Sequence, residues 1–194
     1  MPALTTAQRI RATVGVAVIF GTWFYLVFAR PTDWESVGGS SPALITLGGY
    51  VFGAILLLSA SLPILPARTI AIIPAALVLN IVIGQIVGSV CIPLYLDSVG
   101  TVLVAGLAGP IAGLATGTLS SIVWGLFNPA ALPFAAVSAM VGLLSGVMIA
   151  KGMLRNIPLT ITAGVLLGVI SGMLAAPVAA FVYGGTAGVG TGAL

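Results

Sequence analysis

The sequence predicts an all-α fold, a polytopic integral membrane helical bundle with about seven transmembrane segments and a cytoplasmic amino terminus. Three observations carry that expectation. Of 194 residues, 60% are apolar and 5% charged, whereas soluble domains are roughly one-quarter charged because charge covers a surface that meets water. Apolar stretches long enough to cross a hydrocarbon core of about 30 Å, at about 1.5 Å of rise per helical residue, recur between short polar or proline-containing breaks. The Lys and Arg residues fall mainly on one side of the segments so defined, as cytoplasmic loops do.

The first segment covers residues 12–29 and ends at the polar stretch Arg30-Pro31-Thr32-Asp33-Trp34-Glu35. Arg9 and Arg11 before it and Val27-Phe28-Ala29 at its end also fit a signal peptide; the stretch is long for such a leader, so it is read as the first span. A second segment covers residues 43–62, after which Pro63, Pro66 and Arg68 break the chain, and a third covers 69–90. Pro93 opens a fourth, at 92–108. Gly109-Pro110 is a turn signal, since proline lacks a backbone donor and glycine accepts turn conformations. Charge tests that turn independently. With it, Arg9, Arg11, Arg68, Lys151 and Arg155 lie inside and Arg30 alone outside; without it, Lys151 and Arg155 change sides and the bias disappears. The fifth, sixth and seventh segments then cover 110–127, 132–150 and 157–183, the last long enough to tilt and carrying Pro177 as a kink near its outer end. Asp33, Glu35, Asp97, Asn128 and the Gly-rich tail fall outside.

Composition excludes several function classes. With no His and a single Cys, Cys91, a His/Cys metal site, a Ser-His-Asp triad and an internal disulfide are ruled out. The net charge is +3, yet the basic residues are scattered and form no stripe that would track nucleic acid. An enzyme is not expected, since catalysis would run on Asp97, Cys91 and hydroxyls. The tail Gly184-Gly185-Thr186-Ala187-Gly188-Val189-Gly190 invites a phosphate-loop reading, but no Lys follows Lys151. Any ATP is therefore hydrolysed by a partner, and no cofactor is expected in this chain.

Each remaining motif has two readings. Asp97 is the one charged residue between Arg68 and Lys151; a carboxylate near hydrocarbon is costly, so it either caps a helix end together with Ser98 or faces a polar cavity. Ala76, Asn80, Gly84 and Gly88 form a ladder of spacing four in the third segment, and Ala71 and Ala75 add a second small pair. Small residues at that spacing admit a close helix neighbour, from this chain or from a partner; Thr13, Ala17 and Gly21 show how common the pattern is. Gln85 points about 140° away from Asn80 on a helix. Trp124 and Phe127 fit an interfacial aromatic belt, and Asn128-Pro129 fits a turn; together they also suit the capture of a small flat molecule. The Gly-rich tail is a flexible loop or a gate over a ligand.

The stretch Ile92-Pro93-Leu94-Tyr95-Leu96-Asp97-Ser98-Val99-Gly100-Thr101, with Gly109-Pro110-Ile111-Ala112-Gly113 and Tyr183-Gly184-Gly185-Thr186-Ala187-Gly188, resembles the substrate-binding S component of energy-coupling factor (ECF) vitamin transporters. The resemblance covers roughly the last two-thirds of the chain, from about Arg68 onward. It implies a helical membrane protein that captures a vitamin or similar metabolite from outside and topples in the bilayer, docked on a transmembrane coupling subunit driven by two cytoplasmic ATPases. The family's alanine pair for docking matches Ala71 and Ala75, and its outer helix ends and loops would bind the ligand. Two departures stand out: residues 1–66 form an additional amino-terminal hairpin, and the chain stops at Leu194 before the family's sixth helix, leaving 67–194 as the S-component-like bundle.

The expected ligand-binding set is Tyr95, Asp97, Trp124, Asn128, Tyr183, Gly184, Gly185 and Thr186, and the expected docking set is Ala71, Ala75, Ala76, Asn80 and Gly84. The expected setting is the cell membrane of a bacterium. A membrane sensor domain and a gradient-driven secondary transporter are the rival classes; the first lacks an output domain here, and the second generally needs ionisable or broken-helix sites near the midplane.

Overall fold

A computed structural model describes residues 4–31, 40–89 and 97–183, and among these every regular element is helical. The first helix, α1 (Thr6–Ala29), opens with a capping box. Thr5 Oγ1 accepts from the Gln8 amide at 3.3 Å while Gln8 Oε1 accepts from the Thr5 amide at 2.8 Å, satisfying two amides that the helix itself cannot. It ends at Arg30, in the left-handed region with φ 42°. Helix α2 (Ser41–Ser61) starts from a Ser40 side-chain cap with Pro42 in its first turn and runs into a 3-10 turn at Leu62–Ile64. Helix α3 (Ala67–Ser89) contains Pro74. Helices α4 (Val99–Ala108) and α5 (Pro110–Gly125) are separated by Gly109 alone, at φ 85°. A 3-10 helix at Pro129–Phe134 leads into α6 (Ala135–Ala150), and α7 (Ile157–Val182) opens from an Asn156 cap and carries Pro177.

Five of these stretches are long and apolar enough to cross a membrane: Thr6–Ala29, Ser41–Ile64, Ala67–Val87, Pro129–Ala150 and Ile157–Val182. The expected fourth and fifth segments are not among these five, and residues 92–96 of the fourth lie outside the described residues. As described, α4 has 10 residues and α5 has 16, or about 15 and 24 Å of rise. Helix α5 is instead the centre of the bundle, buried along Ala112–Thr118 and again from Ser120 to Ile122. The sixth segment also differs, because Pro129 and Pro133 hold its first residues in a 3-10 helix.

Successive helices run antiparallel, and the contacts that establish this are approaches of one backbone to another. Helix α5 lies against α6 along a seam in which Gly146 meets Pro110, Gly142 meets Gly113, Gly117 meets Ser138 and Gly125 meets Leu132. A Cβ on Gly117 or Gly142 would collide with the backbone of the opposite helix. Ser121 and Ser138 add a hydroxyl pair at 2.9 Å. The turn at Gly109 folds α4 back so that Ala105 lies on Gly113, four residues to either side of the turn. Helix α1 meets α2 at Gly15 and Gly53, and at Thr22 and Gly49.

The α1–α2 hairpin shares one apolar cluster with α5, α6 and the end of α7, built on Ile19, Leu26, Tyr50, Leu57, Leu114, Ala135 and Val178. Two long-range bonds tie it in. Tyr50 donates to the Pro133 carbonyl at 3.4 Å, and Trp23 Nε1 donates to the Leu174 carbonyl at 3.2 Å, beside the α7 turn that Pro177 deprives of an amide donor. Helix α3 packs on α4 and α5, so it sits at the opposite edge from that hairpin.

The outer surface is apolar: Phe28, Phe52, Val78, Ile86, Leu103, Ile161, Val169 and Met173 are exposed. Antiparallel packing gathers Arg9, Arg11, Arg68, Lys151 and Arg155 at one end of the bundle, with Arg30 at the other. That division matches the charge count behind the turn at Gly109-Pro110.

The seam makes a testable statement. Replacing Gly142 with Leu puts a side chain into the backbone of α5 and is expected to lower stability by about 1–3 kcal/mol or more, read as a lower thermal unfolding midpoint in detergent. Gly168→Leu on α7, where a Cβ meets nothing within 4 Å, is expected to leave the midpoint unchanged.

Candidate functional site

The far end of the bundle, opposite the five positive charges, brings α3, α4 and α5 together around Asn80. This side chain is fully buried on α3. Its Nδ2 donates to Thr101 Oγ1 of α4 at 2.8 Å and to Ser120 Oγ of α5 at 3.2 Å. Its Oδ1 accepts from the Gly100 amide at 2.7 Å. Gly100 lies in the first turn of α4, where helix amides have no intrahelical acceptor. Asn80 therefore caps α4 from a neighbouring helix. The approach requires glycine, since a Cβ at position 100 would overlap the backbone of Ala76.

Capping by Asn80 changes the role open to Asp97 and Ser98. Ser98 occupies the cap position of α4 but makes no side-chain cap bond; its hydroxyl donates to Asp97 Oδ1 at 3.2 Å instead. The reading of Asp97 and Ser98 as the helix cap is thus corrected. Asp97 is half-buried one turn above Asn80, beside Gly84 of α3 and Trp124 of α5. Asp97 Cβ and Trp124 Cη2 each lie 2.9 Å from where a Cβ on Gly84 would stand. Glycine at position 84 is what lets a carboxylate-bearing side chain and an indole close on the same spot of α3.

The other expected ligand residues distribute differently. Asn128 Oδ1 accepts from the Ala130 amide at 3.2 Å and caps the 3-10 helix, which is its turn role. Tyr183 stacks at a tilt on Phe134, with ring centroids 6.3 Å apart. Tyr95, Gly184, Gly185 and Thr186 lie outside the described residues. A shallow cleft of about 220 Å³ at the same end is lined by Arg30, Pro177, Ala180 and Phe181, between α1 and α7.

The docking set divides as well. Ala76, Asn80 and Gly84 face α4 and α5 of the same chain. The physical reason is that a buried amide finds its acceptors and donors within the chain, and the small residues on its ladder admit those same helices. Ala71 and Ala75 remain exposed on the other face of α3, with Pro74 and Val78. Sequence reasoning missed Gly84 as the floor beneath Asp97 and Trp124, and missed Thr101, Ser120 and Gly100 as partners of Asn80. A polar residue on a small-residue ladder was the available signal, and it does not name its partners.

No group of three or more His, Cys, Asp or Glu suited to a metal ion occurs among the described residues. What the arrangement offers is recognition: a half-buried carboxylate, an aromatic ring and a rigid polar anchor beneath them. Comparisons with protein-family models, with curated proteins and with solved structures found no match.

Two substitutions separate the roles of the two polar side chains. Asn80→Ala leaves the Gly100 amide without its acceptor in a buried site and is expected to cost about 1–3 kcal/mol, seen as a lower unfolding midpoint. Asp97→Asn, which disturbs no helix cap, is expected to leave the midpoint within the range of ordinary surface changes, about 0.5 kcal/mol.

Proposed function

We propose that this chain is the ligand-capturing membrane subunit of an ATP-driven importer of the ECF type, taking up a vitamin or related small metabolite at the end of the bundle that holds Asp97 and Trp124. The observation that carries the proposal is the convergence of Asp97, Trp124 and Gly84 at the end opposite the cluster of Lys and Arg. Positive residues mark the cytoplasmic side, so that convergence faces outward in a cell membrane and meets solute before transport. Polar groups set in a largely apolar surround are what small-ligand sites generally contain.

Five helices suited to crossing a membrane support a multi-pass location. Energy enters through partners, a transmembrane coupling subunit and two cytoplasmic ATPases, because this chain carries no phosphate loop. The exposed Ala71 and Ala75 face of α3 is the docking surface in this account, lying toward the positively charged end of the helix. Small side chains there let a partner helix approach closely.

Purification in mild detergent, with mass spectrometry of what accompanies the protein, tests the proposal: a small metabolite together with a membrane subunit and two ATPases is the expected recovery. A co-purifying kinase, or uptake that persists on a proton gradient with the ATPases inactivated, would overturn it. Replacing both Ala71 and Ala75 with Leu is expected to abolish uptake while ligand binding to the isolated subunit stays within about twofold, since added volume at a helix seam blocks association. Unchanged uptake by that variant would remove the docking assignment.

A further inference from the structure

We infer that the Asp97–Trp124 pair selects a flat organic cation, a ligand carrying a quaternised or protonated nitrogen in or beside an aromatic ring. The inference rests on the ligand-capturing role proposed above and specifies its substrate class.

The charge inventory argues for a cation. All six Lys and Arg of the chain lie within the described residues, and none of them pairs with Asp97 there. Arg9, Arg11, Arg68, Lys151 and Arg155 are at the other end, and Arg30 closes α1 with its Nε donating to the Val27 carbonyl. Among the described residues Asp97 accepts from the Ser98 hydroxyl at 3.2 Å and from its own backbone amide. An ionised carboxylate has about four acceptor positions, so further donors can be accommodated. A partly buried carboxylate without a counter-charge attracts a cationic ligand and repels an anionic one.

Geometry supplies the second part of the selection. The benzo edge of the Trp124 indole and the Cβ of Asp97 are both held against Gly84 of α3. An indole face attracts a cation within about 6 Å of its centroid and also stacks on a flat ring. A ligand joining positive charge to a planar ring satisfies both side chains at once. A neutral ring of the same shape stacks on the indole and leaves the carboxylate uncompensated.

The anchor below makes the pair available for this. Because Asn80 provides the acceptor for the Gly100 amide, Asp97 is not consumed in capping α4. Among the described residues the carboxylate is therefore not committed to a helix cap.

A matched series that keeps one ring and changes the charge tests the inference. The full chain in phosphatidylcholine nanodiscs is titrated calorimetrically with 1-methylnicotinamide (cationic), nicotinamide (neutral) and nicotinate (anionic). The expected order is cation first, by about tenfold or more over the neutral compound, with the anion weakest. Asp97→Asn is expected to erase the preference for the cation, and Trp124→Leu to weaken the cationic and neutral compounds together, while both variants keep the elution profile and helical content of the parent. Equal affinities, a preference for nicotinate, or no binding of any member overturns the assignment. That result is distinguishable from failure of the importer proposal: recovery of coupling subunit and ATPases with an anionic or neutral metabolite keeps the importer and discards the cation, whereas cation selectivity without those partners does the reverse.

Discussion

Close approach of helix backbones at glycine is the constraint on which this structure depends. Nine charged side chains in 194 residues leave little for ion pairing, and helices apolar enough to cross a membrane gain no strong hydrophobic drive from one another there, because hydrocarbon tails are as apolar as Leu or Val. Dispersion and weak Cα–H···O contacts remain, and both grow as backbones come together. Gly113, Gly117, Gly142 and Gly146 meet these conditions in the α5–α6 seam. Once that pair is fixed, the α1–α2 hairpin packs on one flank, α4 folds back from Gly109 onto both helices, and α7 attaches along α6. The buried central helix can be short because it is covered by its own chain.

Glycine seams bring helices together but specify register weakly, since one small residue resembles the next. Asn80 supplies what the seams lack. Its three hydrogen bonds reach α4 twice and α5 once, and sliding α3 by one turn would leave a buried amide unsatisfied, which costs far more than a shifted methyl contact. The same side chain that fixes register also supplies the cap of α4. Stability and the chemistry of the far end are linked through it, because the carboxylate at position 97 would otherwise be the nearest candidate for the capping role.

Much of the helical plan was legible in the sequence. Pro and Gly punctuation set the boundaries of α1, α2, α3 and α7 to within a few residues, apart from a start of α1 six residues earlier than expected, where Thr5 and Gln8 form a capping box that hydropathy does not see. The turn at Gly109-Pro110 was legible from two independent signals, local conformation and the distribution of charge. The central place of α5 was not, because an apolar stretch buried by its own chain has the same composition as one facing lipid. The ladder of Gly109, Gly113, Gly117, Ser121 and Gly125 stands in the sequence at spacing four, but many such ladders do, and the partner of a small-residue face is decided by tertiary structure. Ala76, Asn80 and Gly84 were placed on one face correctly, yet the helix they meet belongs to this chain. Asp97 and Trp124 were both singled out, whereas their meeting over Gly84 depends on a crossing of three helices that spacing along one helix cannot express.

The Gly100 amide reports most directly on the account, in which an asparagine on α3 caps α4 and leaves Asp97 to a ligand. Hydrogen exchange at that amide, followed by NMR in glycine-labelled protein, is expected to be slow, comparable with the middle of α5, although first-turn amides ordinarily exchange fast for want of an acceptor. In Asn80→Ala it is expected to become fast while the amides of α6 remain protected. Rapid exchange at Gly100 in the unaltered protein would contradict the account, since Asn80 would then not hold the two helices together and Asp97 would return to the role of a helix cap.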